Sequence, residues 1–270
     1  MGYDFVTSLE QIAIKKGTTI ATVNPHSYVC AKRDIEFRRA LQSADQLIPD
    51  GIGISLAALL LNGERLSRIT GMDLFCHILC TLDQVNGRAF FLGATEETLN
   101  RIRERIEREF PHVEMHAFSP PFRENFTELE NRDMLSRIRR TASDVVFVGM
   151  TAPKQEKWIY SNRQDLKETC CCPVGAVFDY YAGTVARPNA FWRHLGLEWL
   201  ARLVREPRRL WRRTIISGPI FLIDVLRTLV SQMSTVSSAT RSRGDHHPRH
   251  SRGPKSSRHS ESASRNRPSR

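Results

Sequence analysis

The stretch DVVFVGMTAPKQEKW, residues 144–158, combines a short apolar strand, a turn of small residues and the start of a polar helix. Residues 144–149 are rich in Val and Phe, which favours a buried strand. Pro153 suits the first turn of the following helix, whose free N–H groups would face the end of the strand. Such a unit is typical of folds in which parallel strands alternate with helices.

The same alternation extends over most of the chain. Further strands are predicted at 18–24, 46–49, 88–92 and 171–178. Helical periodicity predicts helices at 27–42, 54–61, 72–85, 95–109, 125–140 and 154–168. We therefore predict an α/β fold, with a Rossmann-like, mostly parallel sheet covered by helices on both faces.

The positive charge is concentrated in the C-terminal third. The whole chain carries a net charge of +11, yet residues 187–230 hold nine Arg against three acidic residues, and residues 231–270 hold nine Arg or Lys against two. Twelve of the last forty residues are Ser. We predict a Rossmann-like core over 1–190, an Arg-rich amphipathic appendage over 191–230 and a disordered, basic Ser/Arg-rich tail over 231–270.

Length and composition exclude several classes of protein. With 270 residues, 40% of them apolar, the chain can bury a sizeable core, so it is neither wholly disordered nor a disulfide-stapled miniprotein. Cysteines in an unspaced run at 170–172 and an N-terminus without signal-peptide features favour a reducing cytoplasm. Pro219, Asp224 and Arg227 interrupt the apolar segment 215–230, so no membrane-spanning helix is expected, while binding on a membrane surface stays open.

Polar and glycine residues follow the predicted strands. Ligands of such sheets bind beyond the carboxyl ends of the strands. The residues at these positions are Asn24, Asp50, Gly51, Gly93, the 151–155 turn and Asp179. Lys154, Gln155 and Glu156 form a polar first helical turn, which is typical both of ligand-binding sites and of ordinary surface helices.

Asp50 lies in the segment IPDGIG, residues 48–53. A carboxylate at a strand end could accept a proton from an attacking hydroxyl group, although Pro-Asp-Gly is also ordinary turn chemistry. A dinucleotide fingerprint would need a third glycine at position 56, where Leu56 stands. This counts against a nucleotide-dependent oxidoreductase.

Arginines suggest two anion-binding segments. Arg65 and Arg68 would share one face of a helical turn and could grip a diphosphate, or they could simply belong to a solvated loop. Asp73, a few residues later, also suits the start of a helix. In the second segment, 194–213, a helix would gather Arg202, Arg205, Arg209, Arg212 and Arg213 within an arc of about 100°.

Trp and Leu fill the opposite side of that helix, and Pro207 would kink or split it. An Arg face opposite an apolar face suits an anionic membrane surface or a phosphate-bearing ligand. It equally suits a helix docked by its apolar side.

Metal-binding patterns are weak. Cys76 and Cys80 lie on an apolar helix and are better interpreted as buried thiols than as ligands, and the chain has no Asp-x-Asp motif. We predict no metal and no cofactor. The charge of a leaving diphosphate would then be met by Arg, Lys and helix N-termini.

These segments, in this order, resemble the WecG/TagA/CpsF family of bacterial glycosyltransferases. The matching segments are 22–24, 49–53, 64–74, 91–93, 148–157, 175–179 and 197–213, so the resemblance covers roughly residues 5–229. It implies transfer of N-acetylmannosamine, its uronic acid or a related hexose from a UDP donor to a polyprenyl-diphosphate-linked saccharide. It also implies an inverting, metal-independent reaction at the cytoplasmic face of the plasma membrane, with an anionic membrane surface as a further partner.

The resemblance assigns roles to the candidate residues. Asp50, in a P-D-G variant of the family's A-D-G motif, would be the general base. Thr22 and Asn24 would line its crevice, and Gln155 would contact the donor. The other predicted substrate-binding residues are Gly51, Arg65, Arg68, Asp73, Lys154, Glu156, Asp179, Arg202, Arg205, Arg209 and Arg212, with the arginines stabilising the UDP leaving group.

The basic C-terminal third leaves one alternative of another class, a nucleic-acid-binding protein. Against it, the chain shows neither an aromatic RNA-binding motif nor a zinc finger, and no specific nucleic acid is expected. The sequence leaves open whether the chain forms a homo-oligomer.

Overall fold

Parallel strands alternating with helices form the centre of the protein, as the sequence predicts. The structure, a computed structural model, describes residues 5–66, 69–186, 198–205 and 207–244. The strands are β1 (Ile20–Val23), β2 (Gln46–Pro49), β3 (Arg88–Gly93), β4 (Glu114–Phe118), β5 (Val145–Gly149) and β6 (Cys170–Pro173). The helices of the core are α1 (Pro25–Arg33), α2 (Ile35–Gln42), α3 (Ile52–Asn62), α4 (Gly71–Gln84), α5 (Glu96–Glu109), α6 (Glu128–Thr141), α7 (Lys154–Ser161) and α8 (Val177–Ala182).

All the strand pairs run parallel. One pair joins β1 to β2, and a four-stranded sheet has the order β4-β3-β5-β6. A parallel bridge between Thr19 and Cys171 connects the two parts, with the N–H of Cys171 donating to the carbonyl oxygen of Thr18 at 2.8 Å. The strand order is therefore 2-1-6-5-3-4, and all the carboxyl ends lie along one edge.

The sheet is buried on both faces. In β5, Val145 and Phe147 pack into a core with α4, α5 and α8, while Val146 and Val148 pack on the other side with α6 and α7. All four side chains are fully buried. This explains why the sequence of β5 is a continuous run of apolar residues rather than an alternation of apolar and polar residues.

Three predicted elements differ from the observed ones, and one strand was not predicted. The helix predicted at 154–168 ends at Ser161, as α7. The helix predicted at 27–42 is two helices, because Asp34 ends α1 and its side chain accepts the N–H of Phe37 at 3.0 Å as the N-cap of α2. The strand predicted at 171–178 stops at Pro173, since Gly175 adopts a positive φ and α8 follows. Strand β4 was not predicted, because its residues lie at the sheet edge without a clear apolar pattern.

The C-terminal region is helical where the structure describes it. Its elements are α9 (Glu198–Arg205), α10 (Pro207–Trp211), a π-helical turn (Arg212–Ile216) and α11 (Ser217–Gly244). Pro207 starts a new helix, as the sequence predicts. The disordered tail was predicted from residue 231, whereas α11 continues to Gly244; residues 191–197 and 245–270 lie outside the described residues.

The start of α11 belongs to the core. The described residues up to 229 form one compact unit, and those from 230 to 244 belong to a second unit. Phe221 and Val225 are buried in a third cluster with β1, β2 and helices α1 to α3. Nζ of Lys32 lies 2.6 Å from Oδ2 of Asp224, which adds an ion pair between α1 and α11.

The helical segment Thr214–Ser234 meets the length and composition of a membrane-crossing helix. The sequence predicts no such helix because charged residues and a proline interrupt the segment. Length and composition are the only grounds for this assignment, and a helix packed on a protein core can satisfy them too. The burial of Phe221 and Val225 shows that one side of this segment packs against the protein.

Gly93 supports a prediction about the meeting point of β3 and β5. Its φ is +120°, and a Cβ atom there would lie 2.5 Å from the carbonyl oxygen of Gly149. We expect Gly93→Ala to lower the free energy of unfolding by about 3 kcal/mol. Gly63 also has a positive φ but open space around it, so Gly63→Ala is the matched control, with an expected loss of about 1 kcal/mol. Urea unfolding followed by circular dichroism measures both, and equal losses would contradict the packing argument.

Candidate active site at the carboxyl edge of the sheet

The strand order fixes the sequence of residues along the carboxyl edge. Asp50 follows β2, Asn24 follows β1, Gly175 follows β6 and the 150–153 turn follows β5. Neighbouring strands lie about 4.8 Å apart, so the ends of β2 and β5 are separated by about 14 Å. The edge is therefore broad enough for an extended ligand such as a nucleotide sugar.

Asp50 lies between β2 and α3. Its N–H donates to the carbonyl oxygen of Val23 at 2.8 Å, which ties it to the end of β1. The residue is half-buried, so it is not deep in the packing. Gly51, the N-cap of α3, has a φ of +90° and no neighbouring atom where a Cβ would lie, which leaves open space beside Asp50.

Thr22 and Asn24 occupy β1 and its end, next to Asp50. Thr22 is half-buried and pairs in register with Ile48 of β2. The side-chain oxygen of Asn24 accepts the N–H groups of His26 at 3.1 Å and Ser27 at 3.0 Å. Asn24 therefore caps α1 and holds the start of that helix at the edge.

Gln155 links two loops of the edge. Its Oε1 accepts the N–H of Met150 at 3.3 Å, in the loop after β5, and the N–H of Gly175 at 3.0 Å, in the loop after β6. Its Nε2 donates to Oε1 of Glu156 at 2.9 Å. The sequence predicts that Gln155 contacts the donor; in the structure its side chain is buried and its amide holds the two loops together.

Glu156 orients this amide from within the protein. Its side chain is buried, and its Oε2 has no hydrogen-bond partner among the residues that the structure describes. Burial raises the pKa of this carboxyl group to about 7, against partial compensation by the hydrogen bond from Gln155. The spacing of residues in the sequence could not reveal this hydrogen-bonded group of Gln155, Glu156 and Gly175. Gly175 is twenty residues from Gln155 and contributes only its backbone N–H.

Lys154 points to the loop that precedes α6. Its Nζ donates to the carbonyl oxygen of Arg123 at 2.5 Å and lies 3.6 Å from the centre of the Phe126 ring. Partial burial lowers the pKa of the ammonium group. Lys157, one turn later, pairs with Asp34 and Glu36 of α2 and so ties α7 to that helix.

The remaining candidates divide into three groups. Asp73 forms a capping box with Thr70, accepting its N–H at 3.0 Å and its hydroxyl at 2.7 Å, so its visible role is to start α4. Arg65 is exposed in the loop after α3, and Asp179 is half-buried in the first turn of α8. Arg68 lies outside the described residues.

The appendage arginines are described only by their backbone. Arg202 and Arg205 belong to α9, Arg209 to α10 and Arg212 to the π-helical turn. Their side chains lie outside what the structure describes. Whether they reach the carboxyl edge stays a prediction.

The described part of the chain holds no cluster of three or more His, Cys, Asp or Glu side chains that could bind a metal ion. All six cysteines lie in that part, and none forms a disulfide. The prediction of buried thiols is wrong for Cys80, which is exposed, while Cys76 is half-buried. Cys170, Cys171 and Cys172 are buried in β6, and burial raises the pKa of each thiol.

Comparison with known proteins shows that the chain is similar to one family of enzymes. The profile of the glycosyl transferase WecG/TagA/CpsF family matches residues 3–235. An N-acetylglucosaminyldiphosphoundecaprenol N-acetyl-beta-D-mannosaminyltransferase from Bacillus spizizenii is 33% identical over 225 residues, which cover 83% of this chain and 85% of that protein.

Proteins of the same name from two other organisms are also similar. The Bacillus subtilis protein is 31% identical over 226 residues, covering 83% of this chain and 85% of its own length. The Staphylococcus aureus MW2 protein is 27% identical over 208 residues, covering 77% of this chain and 79% of its own length.

The raised pKa of Glu156 predicts a pH dependence of stability. The native carboxyl binds its proton up to about pH 7, whereas the unfolded one loses it near its ordinary value of 4.5. The free energy of unfolding should therefore fall by about 3 kcal/mol from this group as the pH rises from 4.5 to 7. Glu156→Gln keeps an acceptor for Gln155 and should remove this fall.

Urea unfolding of both proteins between pH 4.5 and 8 measures the difference. Glu168→Gln replaces an exposed carboxylate and serves as the control, which should follow the wild-type curve. Parallel curves for wild type and Glu156→Gln would refute the role of burial at this position.

Proposed function

Because this chain belongs to the WecG/TagA/CpsF family of glycosyl transferases, we propose that it is a hexosyltransferase of bacterial surface-polysaccharide synthesis. It transfers N-acetylmannosamine, its uronic acid or a related hexose from a UDP donor to a polyprenyl-diphosphate-linked saccharide. The names of the similar Bacillus proteins support both the sugar and the lipid-linked acceptor. The observation that carries the proposal is the position of Asp50, half-buried at the carboxyl edge of a chain that matches the family almost throughout.

The donor binds along the carboxyl edge. Helices α1, α3 and α7 all begin there, directly after β1, β2 and β5. The helix dipole favours negative charge at such ends, and α3, whose first turn has no side-chain cap, also offers backbone N–H groups that suit the donor's diphosphate. Gln155 acts indirectly in this proposal, since it fixes the relative position of the loops that follow β5 and β6.

Asp50 is the general base of an inverting displacement. Its carboxylate removes the proton of the acceptor hydroxyl as the hydroxyl oxygen attacks the anomeric carbon of the donor sugar. The bond between that carbon and the diphosphate oxygen breaks, and UDP leaves with the electron pair. Attack on the face opposite the diphosphate inverts the configuration of the anomeric carbon.

Guanidinium groups stabilise the leaving UDP without a metal ion. Arg65 is exposed and available close to the end of α3 in the chain, and the appendage supplies further arginines through Arg202, Arg205, Arg209 and Arg212. The same appendage binds the anionic inner face of the plasma membrane, where the lipid-linked acceptor lies. The protein is thus cytoplasmic and peripherally bound.

The two alternatives drawn from the sequence receive no support from the site. Gly53, which an oxidoreductase would use for a dinucleotide, lies against Pro25: a Cβ there would be 2.7 Å from Cγ of that ring. The named relatives are mannosaminyltransferases rather than nucleic-acid-binding proteins.

Replacement of the base tests the mechanism. Asp50→Asn should lower turnover of UDP-N-acetylmannosamine with a short-chain lipid-diphosphate acceptor by about 10²- to 10⁴-fold. UDP affinity, measured by calorimetry, should stay close to that of the wild type. Asp133→Asn replaces a partly exposed carboxylate on α6, paired with Arg137, and should keep wild-type turnover. Loss of UDP binding together with turnover would point to a structural role for Asp50.

Chelation tests the role given to arginine. In the same assay, UDP release should be unchanged by EDTA and should not increase with added Mg²⁺ or Mn²⁺, because arginines take the place of the cation. Loss of UDP release in EDTA that either ion restores would contradict the metal-independent mechanism.

A further inference from the structure

Helix α3 is an uncharged helix with an apolar outer side. Its sequence, IGISLAALLLN, contains no acidic or basic residue. Ile54 and Ala57 are buried against β1 and β2. At about 100° per residue, Leu56 and Leu59 lie about 140–160° from Ile54, and Leu60 lies between Leu56 and Ala57. All three leucines are exposed. Surface helices usually carry charged residues on their exposed side.

Helix α11 repeats this arrangement beside α3. Phe221 and Val225 are buried in the same cluster as Ile54 and Ala57. Leu222, Ile223 and Leu226 lie away from these buried residues and are exposed. The two helices are neighbours, since a Cβ atom on Gly53 would lie 3.8 Å from the ring of Phe221.

We define the apolar face as six of the outward apolar side chains of these two helices. They are Leu56, Leu59, Leu60, Leu222, Ile223 and Leu226, each between 41% and 52% exposed. An exposed apolar surface built from adjacent helices marks a site of contact with a protein or a membrane.

The charge of the C-terminal segment that contains α11 favours an anionic bilayer. The one acidic residue between positions 207 and 244, Asp224, is turned to the protein and paired with Lys32. Arg208 and Arg227 are exposed, and residues 187–230 hold nine Arg against three acidic residues. A second copy of the chain would bring the same positive charge to the contact, whereas anionic headgroups would neutralise it.

We propose that the apolar face enters the headgroup region of an anionic membrane and thereby places Asp50 at the membrane surface. Asp50 stands two residues before the first residue of α3, so a docked α3 brings the carboxyl edge of β2 to the lipid. The inference rests on the proposed function, because it explains how the base reaches a saccharide whose diphosphate is held at the bilayer surface. It assigns membrane contact to a helix of the core in addition to the arginines of the appendage.

A paired substitution tests the face. Leu56→Gln with Leu60→Gln should weaken binding to vesicles of equimolar phosphatidylcholine and phosphatidylglycerol by about tenfold to a hundredfold in a flotation assay. Since the lost contact is apolar, the weakening should persist at high salt, where the contribution of arginine is screened. Leu129→Gln with Val85→Gln replaces exposed apolar residues on α6 and after α4 and should bind like the wild type.

Further measurements separate the outcomes. Circular dichroism checks that the variants fold, and Leu222→Gln with Leu226→Gln provides a second, independent pair on α11 with the same expected weakening. Unchanged vesicle binding by both pairs would overturn the inference. The inference would also be overturned if the wild type sedimented as a dimer and the paired variants as monomers while vesicle binding stayed intact. The face would then be a contact between two copies of the chain.

Activity distinguishes a failure of this inference from a failure of the proposed function. Turnover of an acceptor embedded in vesicles, divided by turnover of a short-chain soluble acceptor, should fall in the paired variants as binding falls. A wild-type protein that transfers no sugar to the soluble acceptor would refute the proposed function, whereas an unchanged ratio would refute the membrane contact alone.

Discussion

The main-chain hydrogen bond from Cys171 to Thr18 joins the two-stranded part of the sheet to the four-stranded part. Because every strand is parallel to its neighbours, this junction aligns the carboxyl ends of β2 and β5 on one edge. The position of Asp50 depends on β2, and the position of the turn before Gln155 depends on β5. The proposed site therefore depends on backbone pairing in the centre of the sheet before any side chain contributes.

Buried polar groups then set the loops that leave this edge. The amide oxygen of Gln155 accepts two backbone N–H groups, and its amide nitrogen donates to Oε1 of Glu156. The other carboxylate oxygen of Glu156 has no hydrogen-bond partner among the described residues. A buried carboxyl group without full hydrogen bonding is costly when ionised. Through Gln155, this carboxyl group helps to fix the two loops at a local cost in stability.

The sequence predicts the architecture well and the individual contacts less well. Apolar runs and amphipathic periods locate the strands and most helices, and the polar residues after strands identify Asn24 and Asp50 as edge residues. Local capping decides where periodicity fails, because Asp34 ends α1 and caps α2 within a segment that the periodicity predicts as one helix. The role of Gln155 depends on Gly175, which becomes its neighbour only when β5 and β6 pair, so spacing along the chain carries no signal for it.

The three consecutive cysteines of β6 make local unfolding of the sheet measurable by thiol alkylation. Their thiols are buried in the centre of the sheet and hold their protons more tightly than free thiols do. Alkylating reagents act on thiolates that they can reach, so in the native protein Cys80 is the first to be modified. Modification of the β6 thiols requires that strand to leave the sheet, and its rate would report how often the junction between the two halves of the sheet comes apart.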